Sequence, residues 1–391
     1  MAPFFSTKSI SIAILILGML ISNQEAYGHG CYKSIISFGD SLSDTGNLFH
    51  IYPPDKPPES GRWPYGETFF KHPTGLYSDG RLIVDIIAQS LGLPFLEPFI
   101  GGKNTNASSR NFSKGVNFAV AGATALNLSF LERSGIFNPL TNVFLGTQLD
   151  CFKEFFATFC KTNPDCKTFL QTSLILVGEI GGNEYNYAFV QGTDIELIES
   201  LLLQLSATSA SRSKYELIKL GASTVTVLGN LPIGCAPYYL SYYENSDEKE
   251  YDRKTGCLNW LNGFSEHHND LLQMELNCIR GLYPHATIIY GDYYNAAMRI
   301  YLSPNKFGFT SVFRACCGAG GPYNYNASAL CSTPPATVCD DPSQYVSWDG
   351  IHFTEAAYRW IAQGLLEGPY TIPLIRTVCS LISRTSGPSE Y

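Results

Sequence analysis

A chain of 391 residues, 45% hydrophobic and 15% charged, is apolar enough to bury a large core, which argues against a disordered protein. Its formal net charge of −8, with no basic cluster, argues against nucleic-acid binding. Length alone predicts about two or three domains.

The chain opens with a secretory signal over residues 1–28. Lys8 supplies the charged start, and residues 10–21 are an apolar run too short and too early for a membrane-spanning helix. Ala26-Tyr27-Gly28 gives the small residues a signal peptidase needs, so the mature chain is expected to begin near His29. No later stretch is long enough to cross a bilayer, and residues 387–391 carry no retention signal. All 12 cysteines follow the signal, and in an oxidising compartment an even number predicts bridges rather than metal ligands. Cys151, Cys160 and Cys166 are close in sequence, as are Cys235 and Cys257, and Cys316, Cys317, Cys331 and Cys339. Pairing within each group is expected, with the connectivity open. The motifs C-x-x-C and H-E-x-x-H do not occur, so a zinc site has little support. Asn106, Asn111, Asn127 and Asn326 head glycosylation sequons.

Residues 34–39 are an apolar, β-branched run that reads as a buried strand. It stops at the turn dipeptide Gly39-Asp40, which delivers Ser41 to the strand's carboxyl end. Residues 50–73, rich in Pro, Gly and aromatics, read as a loop packed over that edge. A helix is expected over 82–91. Four further strands repeat the first design: 115–119, leading into Val120-Ala121-Gly122; 173–177, ending in Gly178; 224–228, ending in Gly229-Asn230; and 287–290, ending in Gly291-Asp292. Near-continuous apolar strands fit a parallel sheet covered on both faces. Helical patterns over 195–220 and 262–282 alternate with them, so the class is α/β, doubly wound. Residues 239–256 are polar and charged and read as a mobile excursion, and residues 316–341 as a disulfide-braced loop. Near the end stands Trp348-Asp349-Gly350-Ile351-His352, after which Thr354 reads as the N-cap of a helix over 355–366. Ser41 and His352 sit near opposite ends of the chain and must meet for any joint chemistry. Residues 29–391 are therefore read as one domain with long insertions.

Ester hydrolysis at a serine needs a nucleophile, a base, a group that orients the base, and donors for the oxyanion. Ser41, His352 and Asp349 fill the first three roles if the loop folds so that Asp349 accepts from imidazole Nδ1. Nε2 is then left facing the serine. Gly122 ends a run of small residues, and only small residues let a backbone N–H approach a substrate oxygen closely. Asn183, in Gly181-Gly182-Asn183-Glu184, offers an amide beyond the third strand. Taken singly, these features have ordinary structural explanations: a turn, a packing glycine, an Asx turn, a solvated loop. Four of them in order, at strand carboxyl ends or on the last loop, are not explained that way.

Gly39-Asp40-Ser41-Leu42, Gly122, Asn183 and His352 resemble the four blocks of the GDSL esterase/lipase family, also called SGNH hydrolases, and the similarity covers nearly the whole mature chain. Residues 115–124 and 316–324 resemble the plant branch in particular. The resemblance implies a flavodoxin-like three-layer α/β/α fold with a five-stranded parallel sheet and long loop insertions. It implies Ser41, Asp349 and His352 as catalytic residues, an oxyanion hole of the Ser41 N–H, the Gly122 N–H and the Asn183 side chain, and no cofactor or metal. Glu184 departs from the family's usual aspartate, which bears only on local loop geometry. The lack of a G-x-S-x-G elbow disfavours the α/β-hydrolase fold.

The expected protein is a secreted carboxylic ester hydrolase, extracellular or vacuolar, acting as a monomer on a small-molecule ester through an acyl-serine. An acyltransferase would use the same residues, a lipase would take long-chain esters, and a non-catalytic binding protein could keep the scaffold; the intact block residues count against the last. Within the plant branch the pattern is similar to esterases of specialised metabolism that deacetylate an alkaloid. Tyr65, Phe69, Tyr185, Tyr187 and Trp348 are candidate pocket walls, with Tyr185, Tyr187 and Trp348 expected to bind substrate. With Glu179 and Glu184 nearby, they favour a small acyl ester of a bulky, amine-bearing alcohol. Asp40 and Asp44 read as braces of the turn around Ser41. His267 and His268 are adjacent on a helix and point apart, while His50, His72 and His285 read as loop or surface residues.

Overall fold

The computed structural model describes residues 31–102, 111–207, 213–375 and 377–378. The signal expected over 1–28, its expected processing point near His29, the Asn106 sequon and residues 387–391 lie outside the described residues.

All five expected strands form: β1 Ser34–Phe38, β2 Gly115–Asn117, β3 Ser173–Val177, β4 Thr224–Leu228 and β5 Thr287–Gly291. They pair in parallel in the order β2-β1-β3-β4-β5. A short hairpin of β6 Cys317–Gly318 and β7 Thr337–Val338 stands apart. The strand β8 Thr371–Ile372 then joins the main sheet antiparallel to β5, giving six strands where five were expected. A two-residue strand is too short to show periodicity. β2 is shorter than the predicted 115–119; Phe118 and Val120 N–H still donate to Ser37 O (2.8 Å) and Gly39 O (3.2 Å), while Ala119 N–H, on the other edge, turns to Asn117 Oδ1 (2.8 Å).

In chain order the main helices are α1 Ile83–Ser90, α2 Leu145–Thr162, α3 Gly182–Val190, α4 Ile195–Ala207, α5 Ser213–Leu220, α6 Pro237–Tyr242, α7 Asn259–Leu282, α8 Tyr293–Leu302 and α9 Glu355–Glu367. Successive strand side chains point to opposite faces, so the sheet builds two cores. Ile36, Phe38, Ile175, Val177, Val225 and Val227 meet α2, α4, α5 and α7 on one face. Ile35, Leu174, Leu176 and Leu228 meet α1, α8 and α9 on the other. These are the three expected layers. The single helix expected over 195–220 is two, α4 and α5, and α7 begins ahead of residue 262. Thr354 caps α9 as expected, its Oγ1 accepting from Ala357 N–H at 3.3 Å.

The disulfides Cys160–Cys166, Cys235–Cys257, Cys316–Cys339 and Cys317–Cys331 follow the sequence-local grouping and brace residues 316–341. Cys31 is disulfide-bonded as well, and Cys278 is an exposed free cysteine. Residues 239–256, expected to be mobile, are tied down. α6 enters the segment, the Cys235–Cys257 bridge closes its base, and Asp252 Oδ1 accepts the N–H groups of Lys254 (3.0 Å) and Thr255 (2.7 Å). Among the described residues no helix is long and apolar enough to cross a membrane.

Candidate active site

β1 lies where the strand order reverses, between β2 and β3, and ligands of open α/β sheets sit at the carboxyl edge beside such a point. The chain leaves β1 through Gly39 at φ +140°, and a Cβ there would stand 3.2 Å from Gly178 Cα and 3.3 Å from the Glu179 carbonyl oxygen. Glycine therefore lets the ends of β1 and β3 close up. Gln148 of α2 acts as a stand-in for backbone. Its Oε1 accepts from Gly39 N–H at 2.9 Å, and its Nε2 donates to Gly39 O at 2.7 Å. Ser41 follows, 9% exposed. Asp44 accepts the N–H groups of Gly46 (2.7 Å), Asn47 (2.5 Å), Leu48 (3.0 Å) and Ala121 (2.8 Å), which ties the serine turn to the Gly122 loop. Burial pushes its carboxyl up to about 6 despite those donors.

His352 comes from the last loop, and its Nε2 stands 2.8 Å from Ser41 Oγ. Its Nδ1 stands 2.7 Å from Asp349 Oδ2. With Nδ1 donating to the carboxylate, Nε2 is left as the acceptor for the serine hydroxyl. Asp349 Oδ1 accepts the N–H groups of Ile351 (3.0 Å) and His352 (2.8 Å), and its Oδ2 also accepts the Tyr65 hydroxyl (2.8 Å). Burial raises the Asp349 carboxyl, but the His352 charge and the hydrogen bonds from His352 and Ile351 together hold it below its ordinary value. Gly350 makes the loop tight at φ +102°, where a Cβ would strike the Tyr325 ring.

Asn183 sits in the first turn of α3. Its Nδ2 donates to Ala123 O (3.0 Å), next to Gly122, and to Asp40 Oδ2 (3.1 Å). Asp40 Oδ1 accepts from Leu42 N–H at 3.0 Å, so Asp40 braces the turn as Asp44 does. Asp40 lies beside the buried carboxyl of Glu179, whose Oε1 accepts from Gly182 N–H at 2.8 Å. Burial, then the charge of Asp40, raises Glu179 well above its ordinary value, and burial also raises Asp40. Both shifts favour a proton within the pair, on Glu179 above all. Among the described residues, the N–H groups of Ser41 and Gly122 donate to no protein acceptor, which leaves both for an oxygen of a bound molecule. Glu184, in place of the usual aspartate, reaches the backbone N–H groups of Ala125 (2.7 Å) and Leu126 (2.9 Å) and so joins α3 to the Gly122 loop.

A narrow pocket of about 60 Å³, partly open to solvent, lies beside Ser41, walled by Asn183, His352, Glu179, Tyr238, Tyr239 and Tyr301 among others. Tyr185 and Trp348 do not line it, contrary to expectation. Residues 182–190 form a helix, which turns Tyr185 into the core: its hydroxyl meets His268 Nδ1 at 2.7 Å and its ring stands edge-on to Phe264. Trp348 is fully buried, edge-on to Tyr65. Tyr187 lies outside this pocket, its hydroxyl donating to Gly122 O at 3.3 Å. Phe69 is exposed beneath the Arg81 guanidinium, and Tyr65 reaches Asp349 instead of the pocket. Sequence reading missed Tyr238, Tyr239, Tyr301 and Gln148. For the first two a signal existed, because they follow the end of β4 at the same sheet edge as Ser41. Gln148, inside a helix, gave none.

The GDSL-like Lipase/Acylhydrolase family matches residues 35–365. A GDSL esterase/lipase of Arabidopsis thaliana is 50% identical over 382 residues, covering 97% of this chain and 93% of that protein. Another from the same plant is 53% identical over 376 residues, covering 95% of each. The sinapine esterase of Brassica napus is 47% identical over 362 residues, covering 92% of each. Matches of this extent, on a fold that sets a hydroxyl, an imidazole and a carboxylate in line at its carboxyl edge, show that the chain belongs to the GDSL-like lipase/acylhydrolase family and is a serine carboxylic ester hydrolase.

Proposed function

We propose that Ser41 is the nucleophile, His352 its general base and Asp349 the group that orients the base. The N–H groups of Ser41 and Gly122 receive the oxyanion, and the Asn183 amide joins them by giving up one of its two present acceptors, Ala123 O or Asp40 Oδ2. The observation that carries this reading is the unbroken line from Asp349 Oδ2 to His352 Nδ1 (2.7 Å) and from His352 Nε2 to Ser41 Oγ (2.8 Å), opening on one pocket. Ser41 Oγ attacks the ester carbonyl carbon while its proton passes to Nε2. The tetrahedral intermediate collapses, the C–O bond to the alcohol breaks, and the leaving oxygen takes the proton from Nε2. Water then repeats the sequence on the acyl-serine, releasing the carboxylic acid and restoring Ser41.

The substrate is a small, acetyl-type ester of a bulky, amine-bearing alcohol of plant specialised metabolism, such as an alkaloid. The narrow space beside Ser41 favours a short acyl group, with the bulky alcohol lying toward the open side of the pocket. Its wall carries the acidic side chains of Asp40 and Glu179 and the side chains of Tyr238, Tyr239 and Tyr301. Aromatic faces attract a cation by roughly 0.5–2 kcal/mol each, and a carboxylate adds to that. The chain is secreted, extracellular or vacuolar, with residues 1–28 removed to leave one hydrolase domain over 29–391. The disulfides support an oxidising compartment. Asn111, Asn127 and Asn326 are exposed, as glycan attachment requires, and Asn106 is the fourth sequon. Ser41, Asp349 and His352 come from one chain, so a monomer suffices.

The test is a hydrolysis screen of acetyl, long-chain and hydroxycinnamoyl esters, sinapine among them, with one cationic acetyl ester paired to a neutral isostere. The cationic acetyl ester should have the higher kcat/KM, by a margin that shrinks as salt rises, because screening acts on charge and not on shape. Preference for long acyl chains, or equal rates for the pair, would contradict the substrate assignment. Transfer to an added alcohol without release of acid would make the protein an acyltransferase.

A further inference from the structure

We propose that Tyr65 is a positioning residue for the reaction: its hydroxyl fixes the Asp349 carboxylate and draws part of the carboxylate's charge away from His352. The inference rests on the roles given above to Ser41, His352 and Asp349.

Asp349 Oδ1 is held by two N–H groups of its own loop, and Oδ2 receives His352 Nδ1 (2.7 Å) and the Tyr65 hydroxyl (2.8 Å). Among the described residues, Tyr65 is the one hydrogen-bond donor to this carboxylate from outside residues 349–352. It arrives from the segment packed over the sheet edge and is 2% exposed. Its ring is set edge-on to Tyr77 (5.7 Å) and to Trp348 (5.9 Å), and the Tyr77 ring lies 4.6 Å from the His352 imidazole. The hydroxyl thus points in one direction, fixed by the same aromatic cluster that flanks the base. Burial, and after it the Asp349 charge, keeps the phenol protonated, so it remains a donor across the working range.

Two donors compete for one oxygen. A hydrogen bond to a carboxylate spreads its charge and weakens what that charge does elsewhere. Removing the hydroxyl leaves Asp349 with one fewer constraint and leaves more of its charge acting on the imidazolium. The base is then less well aimed, which lowers kcat, and its protonated form is better stabilised, which moves the acid limb of kcat/KM to higher pH. A tyrosine that only packed the loop would change the melting temperature and leave the limb in place.

The experiment compares wild type, Tyr65→Phe and Tyr77→Phe. Phenylalanine keeps the ring contacts, and a melt verifies the fold. For Tyr65→Phe, kcat should fall roughly three- to tenfold with little change in KM. Its acid limb should rise by about half to one pH unit. Tyr77→Phe removes a hydroxyl from the same cluster that makes no hydrogen bond to Asp349, and its acid limb should stay with wild type. A Tyr65→Phe profile that superposes on wild type overturns the proposal, as does an equal displacement in Tyr77→Phe. A serine-directed phosphonate separates the two levels. Ser41 labelled in wild type and in a Tyr65→Phe whose limb has not moved defeats the role of Tyr65 alone, whereas an unlabelled Ser41 in active wild type defeats the nucleophile assignment and this proposal with it.

Discussion

Both hydrogens of the Asn183 amide are engaged in the resting site, so donation to an oxyanion exchanges one of its partners. Its Nδ2 is oriented by Ala123 O and by Asp40 Oδ2, and the first of these places it next to the Gly122 loop. If it then stabilises the oxyanion, Asn183→Ala should lower kcat by roughly 10²–10³ with KM nearly constant, because such a bond strengthens mainly in the transition state. A raised KM with unchanged kcat would make Asn183 a substrate-binding residue only. The Asp40–Glu179 pair makes a separate prediction. Glutamine at 179 can accept from Gly182 N–H as Glu179 does, yet it has no proton to lose. Glu179→Gln should therefore be active near neutral pH and should keep its kcat/KM at high pH, where ionisation of Glu179 beside the oxyanion site would make wild type decline. Basic limbs that coincide would contradict this. The residue types at the site were legible because serine chemistry restricts them sharply. The acid pair was not: Glu179 looked like a charge near the pocket, and only its burial beside Asp40 shows that its carboxyl is pushed toward the protonated form.

At the scale of elements, legibility followed length and continuity. β1, β3, β4 and β5 are five-residue runs dominated by apolar and β-branched residues and could be read directly. β8 is too short to read, and α3 begins with Gly182-Asn183 and carries aromatics, a composition with little helix propensity. Taking residues 183–187 without their helical turn is what misplaced Tyr185, since a helix and an extended chain send that side chain in different directions. The turns that carry the site depend on glycine. Gly122 has φ +77°, and a Cβ there would lie 2.9 Å from Leu140 Cβ and 3.1 Å from the Tyr187 hydroxyl. Gly122→Ala should destabilise the fold by about 1–3 kcal/mol through backbone strain and lower kcat by displacing the N–H. Melting temperature and kcat measured together test this; a variant like wild type in both would show that the position has no special demand.

For the molecule as a whole, buried acids on both faces of the sheet set the pH response. Burial raises Asp44 to about 6, and Asp85 and Glu184 to about 7. Each binds more proton folded than unfolded, so the stability it contributes is fully present below its unfolded value near 4 and is lost as pH rises through about 6 to 7. His268, pushed down to about 4 by burial and secondarily by His267, acts in the opposite sense between about 4 and 6.5. Three acids outweigh one histidine, so the melting temperature should fall between about pH 5.5 and about pH 8; a rise over that interval would contradict the assignment. That the two ends of the chain must meet was legible from chemistry alone, since Ser41 and His352 have a joint use only if they touch. How they meet was not, because it depends on Gly39 closing against Gly178, Gln148 filling the backbone gap, and the Tyr65 hydroxyl reaching Asp349. The most direct test of the Ser41 assignment is the intact mass after treatment with a serine-directed phosphonate, followed by mapping of the modified peptide. Wild type should gain one phosphonyl group at Ser41 and lose activity in proportion. Ser41→Ala should gain none, melt like wild type and be inactive by up to ~10⁶-fold. A Ser41→Ala protein that keeps its esterase activity and is labelled at another serine would contradict the assignment outright.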